Sequence, residues 1–142
     1  VYVSRMDITT LKSAVKKAIT TSTSARCVDG KYVYFDKNGN EIVTIFDDAK
    51  YMRVTSYNDK NKITHLVDNH REVWYEYYDG GINKKTRRLI RSWGERYEKF
   101  NKDGETEVLL EYEDKKLVYE EFIYNGERIS REYDFETGEL VV

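Results

Sequence analysis

The chain has 142 residues, 39% of them apolar and 35% charged, with a formal net charge of −2. That length suits one domain, and no apolar run approaches the ~18 residues that a membrane-spanning helix needs. Cys27 is the only cysteine, which excludes an intrachain disulfide and a thiolate metal cluster.

The opening run Val1-Tyr2-Val3-Ser4-Arg5-Met6 does not look like a native start, so a processed or fragment terminus is expected. The lone cysteine fits a reducing compartment and favours a cytoplasmic location, with a removed signal peptide as the alternative. Residues 8–20 read as an amphipathic helix. Ile8, Leu11, Val15, Ala18 and Ile19 fall on one face, Asp7 is a fair N-cap, and Lys12, Lys16 and Lys17 lie off the apolar stripe. Such a helix either closes the end of a repeat array or offers a basic face to a membrane or partner, and the lid is the reading adopted. Residues 20–24 follow as a polar linker, so 1–25 form an end cap and 26–142 a repeat domain.

From residue 31 the pattern has period two. Val108, Leu110 and Tyr112 alternate with Glu107, Leu109 and Glu111, which predicts strands with one better-covered face. Turn signals recur at Asn38-Gly39, Lys60-Asn61, Gly80-Gly81, Asp103-Gly104 and Asn125-Gly126, about every twenty-two residues. Secondary breaks fall midway, at Asp47-Asp48, Asp68-Asn69, Ser92-Trp93-Gly94 and Glu113-Asp114. About eleven strands result. Proline, which cannot donate to a strand ladder, is absent, and 13 tyrosines suit a thin core that keeps hydroxyls wet. The predicted fold is mostly β: an antiparallel meander of repeated hairpins forming an elongated sheet or solenoid, with one N-terminal amphipathic helix. A closed barrel or half-sandwich is the alternative.

The turns share a form. Phe35-Asp36-Lys37-Asn38-Gly39-Asn40-Glu41-Ile42 matches Tyr133-Asp134-Phe135-Glu136-Thr137-Gly138-Glu139-Leu140 with one insertion, and related copies begin at Tyr57, Tyr77 and Phe100. Over residues 30–140 this resembles the variant MORN repeats of the bacterial YwqK antitoxin type, best between Trp93 and Leu140. Rhs/YD-like repeats come second, and Asp29 to Asp36 is similar to a choline-binding cell-wall repeat. The YwqK resemblance implies an antitoxin or immunity protein that binds a toxin directly. MORN arrays more widely imply phospholipid or protein partners.

Three surfaces stand out. Lys84, Lys85, Arg87, Arg88 and Arg91 put five cations into eight residues, with Trp74 and Trp93 nearby. Cations among aromatics suit nucleic acid or anionic lipid, whereas a solvated edge strand would carry the same charges to prevent sheet association. Pairing with the acidic C-terminal strands is a third reading. Residues 1–102 carry a net charge of +7 and residues 103–142 a net of −9, with Glu105, Glu107 and Glu111 at alternate positions. An acidic surface suits a cationic protein partner. His65 and His70 flank Asp68 across a predicted turn, too few ligands for a zinc site. No phosphate-binding glycine loop, nucleophile elbow or HExxH motif occurs. The expectation is therefore recognition rather than catalysis, with no cofactor and no metal. The partner is another protein through the acidic C-terminal repeats. The alternatives are a nucleic acid or anionic membrane surface through 84–91, or a glycan or choline ligand through tyrosine-lined hairpins.

Overall fold

The computed structural model describes residues 7–141; Val1–Met6, read above as a processed terminus, and Val142 lie outside the described residues. Helix α1 spans Ile8–Thr21. Asp7 caps it, accepting the Thr10 N–H at 2.8 Å. It ends without glycine. The hydroxyls of Thr20, Thr21 and Ser22 donate to the carbonyls of Lys17, Ala18 and Ile19 at 2.6–2.8 Å, satisfying groups that have no intrahelical partner. No helix among the described residues is long and apolar enough to cross a membrane.

Twelve strands follow: β1 Ser24–Val28, β2 Lys31–Phe35, β3 Glu41–Phe46, β4 Tyr51–Tyr57, β5 Ile63–Asp68, β6 Arg71–Tyr77, β7 Lys84–Arg91, β8 Gly94–Phe100, β9 Thr106–Glu113, β10 Lys116–Tyr124, β11 Glu127–Tyr133 and β12 Leu140–Val141. Their order in space is their order in the chain, every hairpin is antiparallel, and the sheet is not closed, so the barrel alternative falls away. β1 is fully exposed and carries no alternation, which is why period two does not reveal it.

The twenty-two-residue period has a physical origin in one turn design. After the aromatics Phe35, Tyr57 and Phe100 come Asp36, Asn58 and Asn101. Each accepts two backbone N–H bonds, from residues two and four positions on, at 2.8–3.0 Å. This side-chain turn explains why the position is Asp or Asn. The left-handed position is filled by Gly39 and Gly104, with φ of 80° and 86°, and by Asn61 at 61°. Each aromatic then pairs with Glu41, Ile63 or Thr106. Ile42, Thr64 and Glu107 are left as the extra residue of a bulge. The turn at Asp134 uses the same carboxylate cap, but it joins β11 to β12. That places it half a period out of phase with the other copies.

The chain divides into two compact units, residues 7–72 and 73–141 among those described. In the first, α1 lies against β3 and β4. The helix thus sits on strands inside the order, where the sequence reading expects a lid over the array's end. Leu11 and Val15 pack with Ile42, Val43, Met52 and Val67, while Ala18, Ile19, Tyr34, Ile45, Val54 and Tyr57 fill in around them. Glu41 binds Arg53 at 3.0 Å and accepts a short bond from the Thr44 hydroxyl.

Burial alone would raise the Glu41 carboxyl, but the Thr44 hydrogen bond and the Arg53 charge together hold it below the ordinary carboxylate range. A carboxyl lowered by folding adds stability that is fully present above its unfolded value, near ~4.3. That contribution is lost as pH falls through the lower folded value. Glu41→Gln is therefore expected to reduce stability at neutral pH and to flatten its decline below about pH 4. Urea unfolding across a pH series checks this. An acid decline as steep as that of the parent chain would remove Glu41 from the account.

In the second unit the buried apolar residues are Val73, Leu89 and Ile90. From Gly94 to Val141 not one residue is buried.

Candidate functional site

The basic strand β7 is already engaged inside its own unit. Arg87 lies 5.9 Å from the Tyr75 ring centre and binds Glu98 at 2.9 Å. Arg88 lies 5.6 Å from the Trp74 ring and binds Glu95 at 2.5 Å. The Arg91 guanidinium stacks 3.7 Å from the ring centre of Trp93, which is itself 56% exposed. Lys84 sits 5.5 Å from the Phe100 ring, and Lys85 sits 5.9 Å from the Tyr78 ring. Both tryptophans named from sequence therefore meet the cations named beside them. The carboxylates that answer Arg87 and Arg88 come from β8, the next strand, and not from the C-terminal strands. A guanidinium bound to carboxylate and ring has less field to offer a phosphate backbone.

The acidic trio does not act as a set. Glu105 lies in the turn before β9, its backbone closing the bridge to Asn101 at 2.8 Å. Glu107 is the extra residue of a bulge, and only Glu111 stands in regular register, opposite Arg96. Glu105 precedes the strand and Glu107 has no partner on β8, so of the three only Glu111 belongs to the regular ladder.

The register shows where the apolar residues go. Directly paired residues share a face, which gives three rows across β8–β11. Lys99, Val108, Phe122 and Ile129 form one, and Tyr97, Leu110, Glu120 and Arg131 the next. Glu95, Tyr112 and Leu117 form the third. Seven of these side chains are aliphatic or aromatic, and none is buried. The opposite face carries Glu98, Arg96, Glu111, Tyr119, Glu121 and Glu132 with Leu109 and Ile123 among them, and Arg128 is bound to Glu121 at 2.6 Å. The alternation of Val108, Leu110 and Tyr112 predicts a covered face; among the described residues no element packs on this face. Tyr97, Leu117, Phe122 and Ile129 escape the sequence reading because only register places them beside Leu110. Acidic side chains in the flanking turns and strand ends, Asp103, Glu105, Glu113, Asp114 and Glu127, are exposed.

The two histidines do not converge on Asp68. His65 Nε2 lies 2.7 Å from Glu72, while Asp68 accepts the backbone N–H groups of His70 and Arg71 and the Tyr51 hydroxyl. Among the described residues no three His, Cys, Asp or Glu side chains gather as a metal site requires.

No protein-family model matches the chain, and no curated protein matches it. Among solved structures, the chain is similar to the crystal structure of a mutant of S. aureus TarM in complex with Fondaparinux, alpha-GlcNAc-glycerol and UDP. The identity is 15% and the TM-score 0.29, over 94% of this chain and 23% of that one. The chain thus spans less than a quarter of that protein's length, and a likeness at this level carries nothing about fold or activity.

Proposed function

We propose that the chain is a protein-recognition module that uses the apolar face of β8–β11, framed by acidic turns, against a basic partner. One observation carries this reading. The sheet is amphipathic across these strands, yet among the described residues no element lies on its apolar side, whereas the apolar side of β3 and β4 receives α1. Four strands of about seven residues make a face of roughly 23 by 19 Å. With side-chain relief that is of the same order as the ~800 Å² per partner of a stable complex. Tyr97, Leu110, Phe122 and Tyr112 supply the apolar bulk of this face, and Glu120 and Arg131 set charge within it; aromatic anchors beside polar groups are common in such interfaces. The net charge of −9 on residues 103–142 selects a cationic partner. An antitoxin or immunity role, in which this face blocks the basic groove of a toxin, is the biological setting proposed for it.

A short peptide of alternating lysine and leucine is the probe, with its glutamate–leucine counterpart as the control. The lysine peptide is expected to bind and to weaken with salt. Leu110→Ser/Phe122→Ser is expected to weaken it about tenfold, in line with the loss of two central apolar contacts. Equal binding of both peptides, or binding unchanged in the double variant, would remove the reading.

A further inference from the structure

We propose that the β6–β7 turn is an oxyanion subsite, built on Tyr78, Lys85 and Lys102, that takes a phosphate group. The turn departs from the design of its neighbours. Where Asp36, Asn58 and Asn101 cap their own turns, the same position holds Tyr78, whose side chain cannot accept two local N–H bonds. Its hydroxyl instead donates to the Phe100 carbonyl, 22 residues on, at 2.5 Å. Its backbone N–H reaches Asn83 at 3.0 Å, one residue further than in the turns at Asp36, Asn58 and Asn101. The longer turn leaves a cavity of about 320 Å³ lined by Tyr77, Tyr78, Asp79, Asn83, Lys85 and Lys102.

Two ammonium groups from different segments converge on the fixed ring. Lys85 Nζ lies 5.9 Å from the ring centre and Lys102 Nζ 5.8 Å. Both side chains are exposed, and neither takes part in an ion pair among the described residues. Arg87 and Arg88, two and three residues further along β7, are bound to Glu98 and Glu95. The ammonium groups that no carboxylate answers are therefore at the turn end of β7 and in the turn after β8, and not at the middle of β7. Lysine ammoniums are compact point charges with rotatable donors, suited to a tetrahedral oxyanion in a cavity that both line. Asp79 lines the same cavity and subtracts from its field.

The probe is inorganic phosphate, titrated at constant ionic strength against chloride, with backbone amide shifts as the readout. Saturable shifts confined to residues 77–85 and 101–103 are expected. Lys85→Gln/Lys102→Gln should weaken the response roughly five- to tenfold, and Asp79→Asn should tighten it. Tyr78→Asn restores the local cap of the other turns and is expected to abolish the response while the hairpin stays folded. Shifts spread over the chain and equal to those from chloride would overturn the proposal. So would a response unchanged in the double-lysine variant. Once the site responds, flotation with phosphatidic acid vesicles identifies the source of the phosphate. Retention lost in the double variant assigns a lipid headgroup, and no retention assigns a soluble phosphate ester.

Discussion

Leu11→Ala is expected to lower stability by about 3 kcal/mol, within the ~2–5 kcal/mol seen when a buried leucine is truncated. Leu11 is 1% exposed and meets Ile42, Val43, Met52 and Val67 at the seat of α1. The helix has 14 residues, a length that is marginal in water without tertiary contacts. Removing its main anchor therefore threatens the helix as well as the methyl contacts. The informative control is Leu110→Ala. It deletes the same atoms from a partly buried site on β9, and about 1 kcal/mol is expected because less area is recovered from water. Urea unfolding of both variants checks the pair. Equal losses would mean that the β9 face is as well covered as the helix seat, which would also undo the proposed interface.

The second large effect is expected at Gly94. A Cβ built there overlaps the carbonyl oxygen of Tyr112 and comes within 3.4 Å of its carbon. Gly94 opens β8, opposite Arg91 on one side, and the adjacent Glu95 pairs with Tyr112 on the other. The overlapped atom is backbone in a ladder, so it cannot rotate away as a side-chain tip would. Gly94→Ala should therefore cost about 2–3 kcal/mol, the overpacking range, or a fall of several degrees in Tm. Gly30→Ala provides the contrast. Its Cβ meets nothing, and its penalty comes only from the left-handed φ of 75°, roughly 1–2 kcal/mol. Thermal unfolding that ranked Gly30→Ala well above Gly94→Ala would show that β8 and β9 sit further apart than described.

Much of the fold was legible because its causes are local. Asp36, Asn58 and Asn101 can be recognised as turn residues since the bonds they make lie within four residues of themselves. The helix was legible from Leu11 and Val15 for the same reason, with Asp7 marking its start. The candidate site was less so. Lys84, Lys85, Arg87, Arg88, Arg91, Trp74 and Trp93 could be named, but not that Glu98 and Glu95 would engage two of the arginines from the next strand. Tyr78 and Lys102 went unremarked because they are 24 residues apart in the chain and meet only once the hairpins lie side by side.

Composition and spacing alone settled that the chain doubles back at regular intervals into antiparallel strands behind a single helix. Each turn there is decided by a handful of consecutive residues. Tertiary structure decided which face of each strand is covered and what covers it: α1 over β3 and β4, and no described element over β8–β11. That outcome depends on register, and a single extra residue in a bulge, such as Glu107, breaks the one-to-one pairing that alternation assumes.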